Sequence, residues 1–236
     1  AELQAVYAST PNLIIIEKLP DSHSIGVAPP ELMEELEQVG FNNVITDVDG
    51  RVRRSLLYWW KNDENGERVF SESFSLQLAK LYLAADDIEP AAADDGSLQL
   101  GDAVFELLEP YDGGYVRANT GGYQVMTNFR GPTNLFEMVP LADVVAGEVD
   151  PAQFRDRIVL IGSVANSLQD FVLTPFSTGT NSSAERMSGV ELQANFISDI
   201  LSAAVNDRVL IQSWPEAIEW LWILGWAVVG STVSWW

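Results

Sequence analysis

Cysteine is absent from the 236-residue chain, and histidine occurs once, at His23. Without cysteine there is no disulfide, no thiolate metal ligand and no thiol nucleophile. A multi-histidine metal site is excluded, and a Ser-His-Asp relay would have to use His23, which lies in a polar stretch with turn character. Lone loop histidines are usually only solvated. We therefore expect no catalytic residue, no metal site, no cofactor and no enzymatic activity.

Basic residues are also scarce. Lysine and arginine together number 13 against 34 aspartates and glutamates, which leaves a net charge of −21. Such a surface repels phosphate backbones, so nucleic acid is excluded as a partner. Hydrophobic residues make up 47% of the chain, which is enough to build a core.

Phosphate-binding and esterase motifs are missing too. Neither GxGxxG nor GxxxxGK[ST] occurs, and Ser163 is not in a GxSxG turn. The run 157–164 (RIVLIGSV) predicts a central strand covered on both faces. Gly162 and Ser163 would then lie at its carboxyl end, where α/β sheets bind ligands. Ser163 is therefore a candidate ligand-binding residue.

Strand and helix patterns alternate along the chain, which predicts a mixed α/β fold, a layered mixed sheet flanked by helices. The helix at 73–85 is expected to bury Phe74, Leu78, Leu81 and Tyr82, and Gly40 is expected to cap the helix before it. Residues 86–96 are expected to form a loop. The predicted strands are 12–19, 41–47, 52–60, 98–100, 104–108 and 124–129; the predicted helices are 31–39, 73–85, 141–146 and 189–204, with a turn at 151–154.

The segment Asp47-Val-Asp49-Gly50 has the first ligands and the glycine of a calcium loop. Arginines occupy the places where more acids would be needed, so a tight hairpin turn is favoured. The same arginines form a basic cluster on an acidic protein. They either pair with nearby acids or hold an anionic ligand. The cluster is Arg51, Arg53 and Arg54.

The last twenty residues, 217–236, contain one charge, Glu219, and are long enough to cross a membrane. Tryptophans flank and interrupt this segment, as is typical of membrane interfaces. We expect an extracytoplasmic domain over 1–212 and a transmembrane helix over 213–236. A buried helix at the end of a soluble domain is the alternative, but a polar stripe would then be expected. The tryptophans are Trp214, Trp220, Trp222, Trp226, Trp235 and Trp236.

Four blocks in order resemble the second type of CHASE domain, the cyclase/histidine-kinase-associated sensory extracellular domains, and in particular its cyanobacterial members. They are 39–59 (VGFNNVITDVDGRVRRSLLYW), 127–132 (TNFRGP), 138–176 and 187–201 (MSGVELQANFISDIL). The resemblance covers roughly 39–236. Its signature positions are Asp47, Asp49, Gly50, Arg53, Arg54, Arg130, Gly131, Gly162, Ser163, Gly189, Val190, Glu191 and Asn195.

The resemblance implies a periplasmic or extracellular sensor, followed by membrane helices and a cytoplasmic cyclase or kinase effector. We expect the chain to be incomplete at both ends, because no N-terminal membrane helix, signal peptide or effector is visible. A small molecule or protein is the expected ligand, held by Asp49, Arg53, Arg54, Arg130 and Ser163. Coupling or anchoring is expected from Glu191, Asn195, Trp214, Trp220, Trp222 and Trp226.

The expected partners are membrane lipid and a second copy of the chain or other membrane subunits. An alternative function is a structural or accessory subunit of a membrane complex that reuses the sensor fold. Its tryptophan-rich helix would then pack on other membrane proteins.

Overall fold

The computed structural model describes residues 2–21, 24–62, 66–178 and 185–235; His23 lies outside the described residues. Helices and short strands alternate, so the mixed α/β class is confirmed. The helices are α1 (Glu2–Ser9), α2 (Glu31–Glu35), α3 (Phe74–Leu83), α4 (Leu141–Ala146), α5 (Gly189–Asn206) and α6 (Glu216–Trp235). The strands are β1 (Ile15–Glu17), β2 (Val39–Phe41), β3 (Arg54–Asn62), β4 (Arg68–Glu72), β5 (Pro90–Ala92), β6 (Leu98–Leu100), β7 (Ala103–Phe105), β8 (Tyr123–Met126), β9 (Phe171–Val172) and β10 (Met187–Ser188).

Within the described residues the strands form four small sheets rather than one layer. Strand β3 is central in an antiparallel sheet of order β4-β3-β8, and β5-β6-β7 is an antiparallel meander. Strands β1 and β2 pair in parallel, and β9 pairs with β10 in antiparallel. The prediction of a loop over 86–96 is wrong in part, since β5 lies within it. This segment forms a strand because β6 supplies its backbone hydrogen bonds.

Helix α5 connects two hydrophobic clusters. Its residues Ile200 and Ala203 pack with α3 and the two larger sheets, while Leu192 and Phe196 pack with a second group beneath the β9-β10 pair. The first cluster contains Leu57, Leu76, Ala79, Leu83, Leu98, Leu100, Phe105 and Val125; the second contains Val52, Phe129 and Met187. These α5 side chains are three or four residues apart, so they lie on one face of the helix. The first half of that face contacts the second cluster, and the second half contacts the first cluster.

The predicted helix over 31–39 is shorter than expected. It ends at Glu35, and Glu37 has a φ of +57°, which breaks the helical path before Val39. Gly40 is therefore not a helix cap: it lies in β2, where an added Cβ would be 2.4 Å from Phe74 Cα. A glycine is required at this position because the β2 backbone passes directly over the start of α3.

The hairpin around Asp47-Val-Asp49-Gly50 is present but small. Gly50 N–H donates to Asp47 O at 2.8 Å, Asp47 N–H donates to Arg51 O at 2.8 Å, and Ile45 forms an isolated bridge with Arg54. The tight turn is confirmed, whereas the strand predicted over 41–47 is wrong, since β2 ends at Phe41.

Helix α3 is confirmed, with Ser73 Oγ accepting from Leu76 N–H at its start. Its inner face differs from the prediction, because Leu81 and Tyr82 are exposed by 41% and 39%. The buried residues are instead Ser75, Leu76, Leu78, Ala79 and Leu83. Of these, Leu76, Ala79 and Leu83 join the cluster that contains Ile200 and Ala203 of α5.

The strand predicted over 157–164 is wrong. Residues 158–162 have no regular structure and no ladder partner in the described part of the chain. Val159 and Ile161 are exposed by 50% and 81%. An apolar run is a strand only where a neighbouring backbone supplies the ladder of hydrogen bonds, and hydrophobicity alone does not reveal that neighbour.

Candidate functional site

The Asp47 carboxylate is the shared acceptor of the arginine cluster. Arg53 Nη1 and Arg54 Nη2 each donate to it at 2.7 Å, and the Tyr115 hydroxyl donates at 3.0 Å. Arg54 is 4% exposed and also donates to Gln124 Oε1 at 2.8 Å. Burial, together with the hydrogen bond to Asp47, raises the pKa of Tyr115 to about 12. The network is a hydrogen-bonded ion cluster whose Arg54–Asp47 pair is buried, with side-chain exposures of 5% and 7%.

The other members of the turn have internal partners too. Arg53 Nη2 donates to Asp49 Oδ2 at 2.6 Å, and this hydrogen bond holds the pKa of Asp49 well below its usual range. Arg51 Nη1 donates to the carbonyl oxygens of Thr174 and Ser177. The internal pairing left open by the sequence is thus present. Binding of an anionic ligand at this cluster stays a prediction.

Ser163 lies elsewhere, beside the start of α5. Its Oγ accepts from Ala165 N–H at 3.3 Å, and an added Cβ at neighbouring Gly162 would be 2.6 Å from Val190 Cβ. No hydrogen bond or ion pair among the described residues joins Ser163 to the arginine cluster. The predicted ligand-binding residues are therefore not gathered at one place.

Two of the residues predicted to serve signal coupling or anchoring, Glu191 and Asn195, are buried on α5 and bind a loop to that helix. Glu191 Oε1 accepts from Asn134 N–H at 2.6 Å, and its Oε2 accepts from the Ser188 hydroxyl at 3.0 Å. Asn195 Oδ1 accepts from Arg130 N–H at 3.1 Å. Both therefore hold the 127–134 loop against α5.

Arg130 follows the same helix rather than joining the other arginines. Its guanidinium donates to the hydroxyls of Ser198 and Ser202, one turn apart on α5. Since Ser202 is buried, the Arg130 side chain closes over the helix surface.

The same loop also contacts the segment that follows α5. Arg208 Nη2 donates to Asn128 Oδ1 and to Phe129 O, each at 3.0 Å, and Asn128 Nδ2 donates to Val209 O at 2.9 Å. Helix α6 begins shortly after, at Glu216. We call residues 127–130, 195–202 and 208–210 together the junction, because they connect the domain to its last helix.

Asp199 is the buried carboxylate of the junction, with an exposure of 4%. Its Oδ2 accepts from Asn128 N–H at 3.0 Å, and its Oδ1 has no hydrogen-bond partner. Burial raises the pKa of Asp199 to about 6, opposed by that hydrogen bond and by the charges of Arg208 and Arg130.

Sequence reasoning missed Asp199, Asn128 and Arg208. A signal was present for the first: Asn195 and Asp199 are four residues apart on the face of α5 that also carries Leu192 and Phe196. Polar residues at core-facing helical positions need hydrogen-bond partners, so such residues are candidates for a functional or structural polar site. The partners come from distant segments that no spacing rule connects.

A cleft of about 830 Å³ lies beside the junction. One wall is the β5-β6-β7 meander and its turns, and the other is the segment from Asp207 to Gln212. Its carboxylates are Asp94, Asp95, Asp102, Glu106 and Asp207. A molecule in this cleft would contact both the domain and the segment leading to α6.

Helix α6 is long and apolar enough to cross a membrane, with a mean hydropathy of 1.3. Trp222 forms edge-to-face contacts with Trp214 and Trp226, whose ring centroids are 6.0 and 5.6 Å away. These rings and Trp220 are more than half exposed, so they are available to lipid or to another helix.

Comparison with known proteins gives one family. The model of the CHASE2 domain matches residues 1–232, so the match begins well before residue 39, the first residue of the four blocks that carry the resemblance. No curated protein and no solved structure matches the chain.

Proposed function

The chain belongs to the CHASE2 domain family, a family of sensory extracellular domains of signalling receptors, and we propose that it is the extracytoplasmic input domain of a membrane receptor. Binding of a ligand or partner is the input. Its effect is transmitted through the junction and α6 to an effector on the other side of the membrane. The observation that carries the proposal is the contact of the 127–130 loop with both α5 and the Arg208–Val209 segment.

This arrangement supports coupling because the 127–130 loop is hydrogen-bonded both to α5 and to the segment that leads from α5 to α6. Asn128 donates its backbone N–H to Asp199 and its side chain amide to Val209 O, while it accepts from Arg208. A shift of the loop therefore changes the position of the segment before α6. A sensor needs such an element, whose two arrangements are favoured differently by the input.

The signalling role is tested with the full chain joined after α6 to a cytoplasmic reporter kinase. Arg208→Ala and Asn128→Ala remove junction bonds, and we expect the basal kinase output to change about fivefold or more, as for a coupling free energy of about 1 kcal/mol. Arg157→Ala is the matched control, because its pair with Glu137 at 3.7 Å is exposed. Equal output from all three variants and the unmodified chain would contradict the proposal and favour the structural-subunit alternative.

The topology is tested separately. Because the chain has no cysteine, Val145→Cys introduces a single thiol at a side chain that is 81% exposed. A membrane-impermeant maleimide should label this thiol in intact spheroplasts. Labelling only after lysis would place the domain in the cytoplasm and overturn the proposal.

A further inference from the structure

We propose that the junction is a proton-operated latch: Asp199 is protonated in the closed arrangement, and loss of its proton releases the 127–130 loop and the segment after α5. The proposal rests on the proposed function and deepens it, since it names acidification as an input that acts on the same connection.

The geometry around Asp199 favours its neutral form. Asp199 is 96% buried yet forms no ion pair within the described residues, and its single hydrogen bond comes from Asn128 N–H. Its Oδ1 lacks a partner, and so does the hydroxyl of Thr127, which precedes Asn128. Burying an unpaired carboxylate costs much more free energy than burying its neutral form, and protonation would turn the unpartnered Oδ1 into a hydrogen-bond donor.

The two arginines whose charges act on Asp199 are already engaged with neutral acceptors. Arg208 faces it from the segment after α5 but donates to Asn128 Oδ1 and Phe129 O. Arg130 faces it from the loop but donates to the two serine hydroxyls on α5. On α3, which packs along α5, Lys80 is held by Glu72 at 2.7 Å. The closed junction therefore offers attraction from two arginines without a direct counter-ion.

Ionisation of Asp199 shifts the equilibrium between the closed and the open junction toward the open form. Burial raises the pKa of Asp199 to about 6 in the closed junction, against 3.8 for the exposed carboxyl. The closed arrangement is thus favoured at acid pH, and this preference is lost as the pH rises through about 6. An ionised Asp199 gains by meeting water, and water reaches it when the loop that covers it parts from α5. Between pH 7.5 and pH 4.5 the ratio of closed to open junction should rise on the order of 25-fold.

The test places a nitroxide at Gln212→Cys in the full, otherwise cysteine-free chain in detergent micelles. Its spectrum should shift toward the immobile form as the pH falls from 7.5 to 4.5. Asp199→Asn, a neutral mimic, should be immobile at both pH values. Asp207→Asn is the matched control, because Asp207 is exposed and on the same segment, and it should keep the pH response.

A flat response in the unmodified chain, a response that survives Asp199→Asn, or one that is lost in Asp207→Asn would overturn the latch. Should Asp199→Asn fail to fold, infrared difference spectra of the unmodified chain report the carboxyl directly: a buried protonated carboxyl must appear between pH 7.5 and 4.5. Neither measurement involves an effector. A latch that responds to pH in a chain that fails the kinase and topology tests would refute the proposed function alone.

Discussion

Replacing Asp47 by alanine removes the acceptor that three donors share at the turn before β3. Arg54 would keep its bond to Gln124 at 2.8 Å, but its charge, only 4% exposed, would lose its counter-ion. Its Nε already lacks a partner. Breaking a buried ion pair from one side typically costs about 3–5 kcal/mol. We expect a loss of that size in the free energy of unfolding.

Asp49 provides the matched control from the same turn. It is two residues away, also pairs with Arg53, and has a side chain that is 45% exposed. Exposed pairs contribute little because water already solvates both charges. Asp49→Ala should therefore leave the free energy of unfolding nearly unchanged, although both carboxylates bind the same arginine.

The assay is chemical denaturation of the full chain in detergent micelles, followed by near-ultraviolet circular dichroism. The denaturation midpoint should fall for Asp47→Ala with an unchanged dependence on denaturant, which would attribute the change to stability rather than to compactness. The reasoning is refuted if Asp47→Ala loses less than about 1 kcal/mol, or no more than Asp49→Ala, since the buried charge would then not need its partner.

Three further experiments test other parts of the fold. Asp199→Asn should raise the free energy of unfolding at pH 7.5 by up to about 3 kcal/mol, because burial raises the pKa of the aspartate to about 6; its advantage over the unmodified chain in denaturation should vanish as the pH falls below about 4. Gly40→Ala should lower the melting temperature, at a cost of about 2 kcal/mol or more, because the new Cβ would be 2.4 Å from Phe74 Cα; an unchanged melting temperature would contradict this close approach. A double-mutant cycle on Lys80 and Glu72, 2.7 Å apart, should give a coupling of about 0.5 kcal/mol by denaturation, and a value above about 2 kcal/mol would show that the pair is effectively buried.

The helices were the more predictable part of the fold. The spacing of apolar residues predicted 189–204, and α5 spans Gly189–Asn206; the short helix Leu141–Ala146 and the C-terminal helix were also predicted. The backbone hydrogen bonds of a helix are formed within the helix itself. Its pattern of apolar residues can therefore be recognised from one segment of sequence.

The strands and the junction were less accessible because their partners are distant. The apolar run at 157–164 has the composition of a central strand, but no described backbone pairs with it. The arginine cluster could be located from sequence, whereas its acceptors could not be assigned. Asn128 and Arg208 are hydrogen-bonded to each other although they are 80 residues apart in the sequence. The local sequence around either residue does not predict this contact.

The position of α5 also constrains when the domain can fold. Leu192 and Phe196 complete one hydrophobic cluster and Ile200 completes the other, so both remain open to water until α5 has been synthesised. A chain released before Val190 should therefore remain sensitive to protease. Since α6 begins at Glu216, the helix that closes the domain leaves the ribosome only about ten residues ahead of the helix that can enter the bilayer. In the proposed receptor, export, closure of the cores and membrane insertion would therefore fall within the same short interval of synthesis.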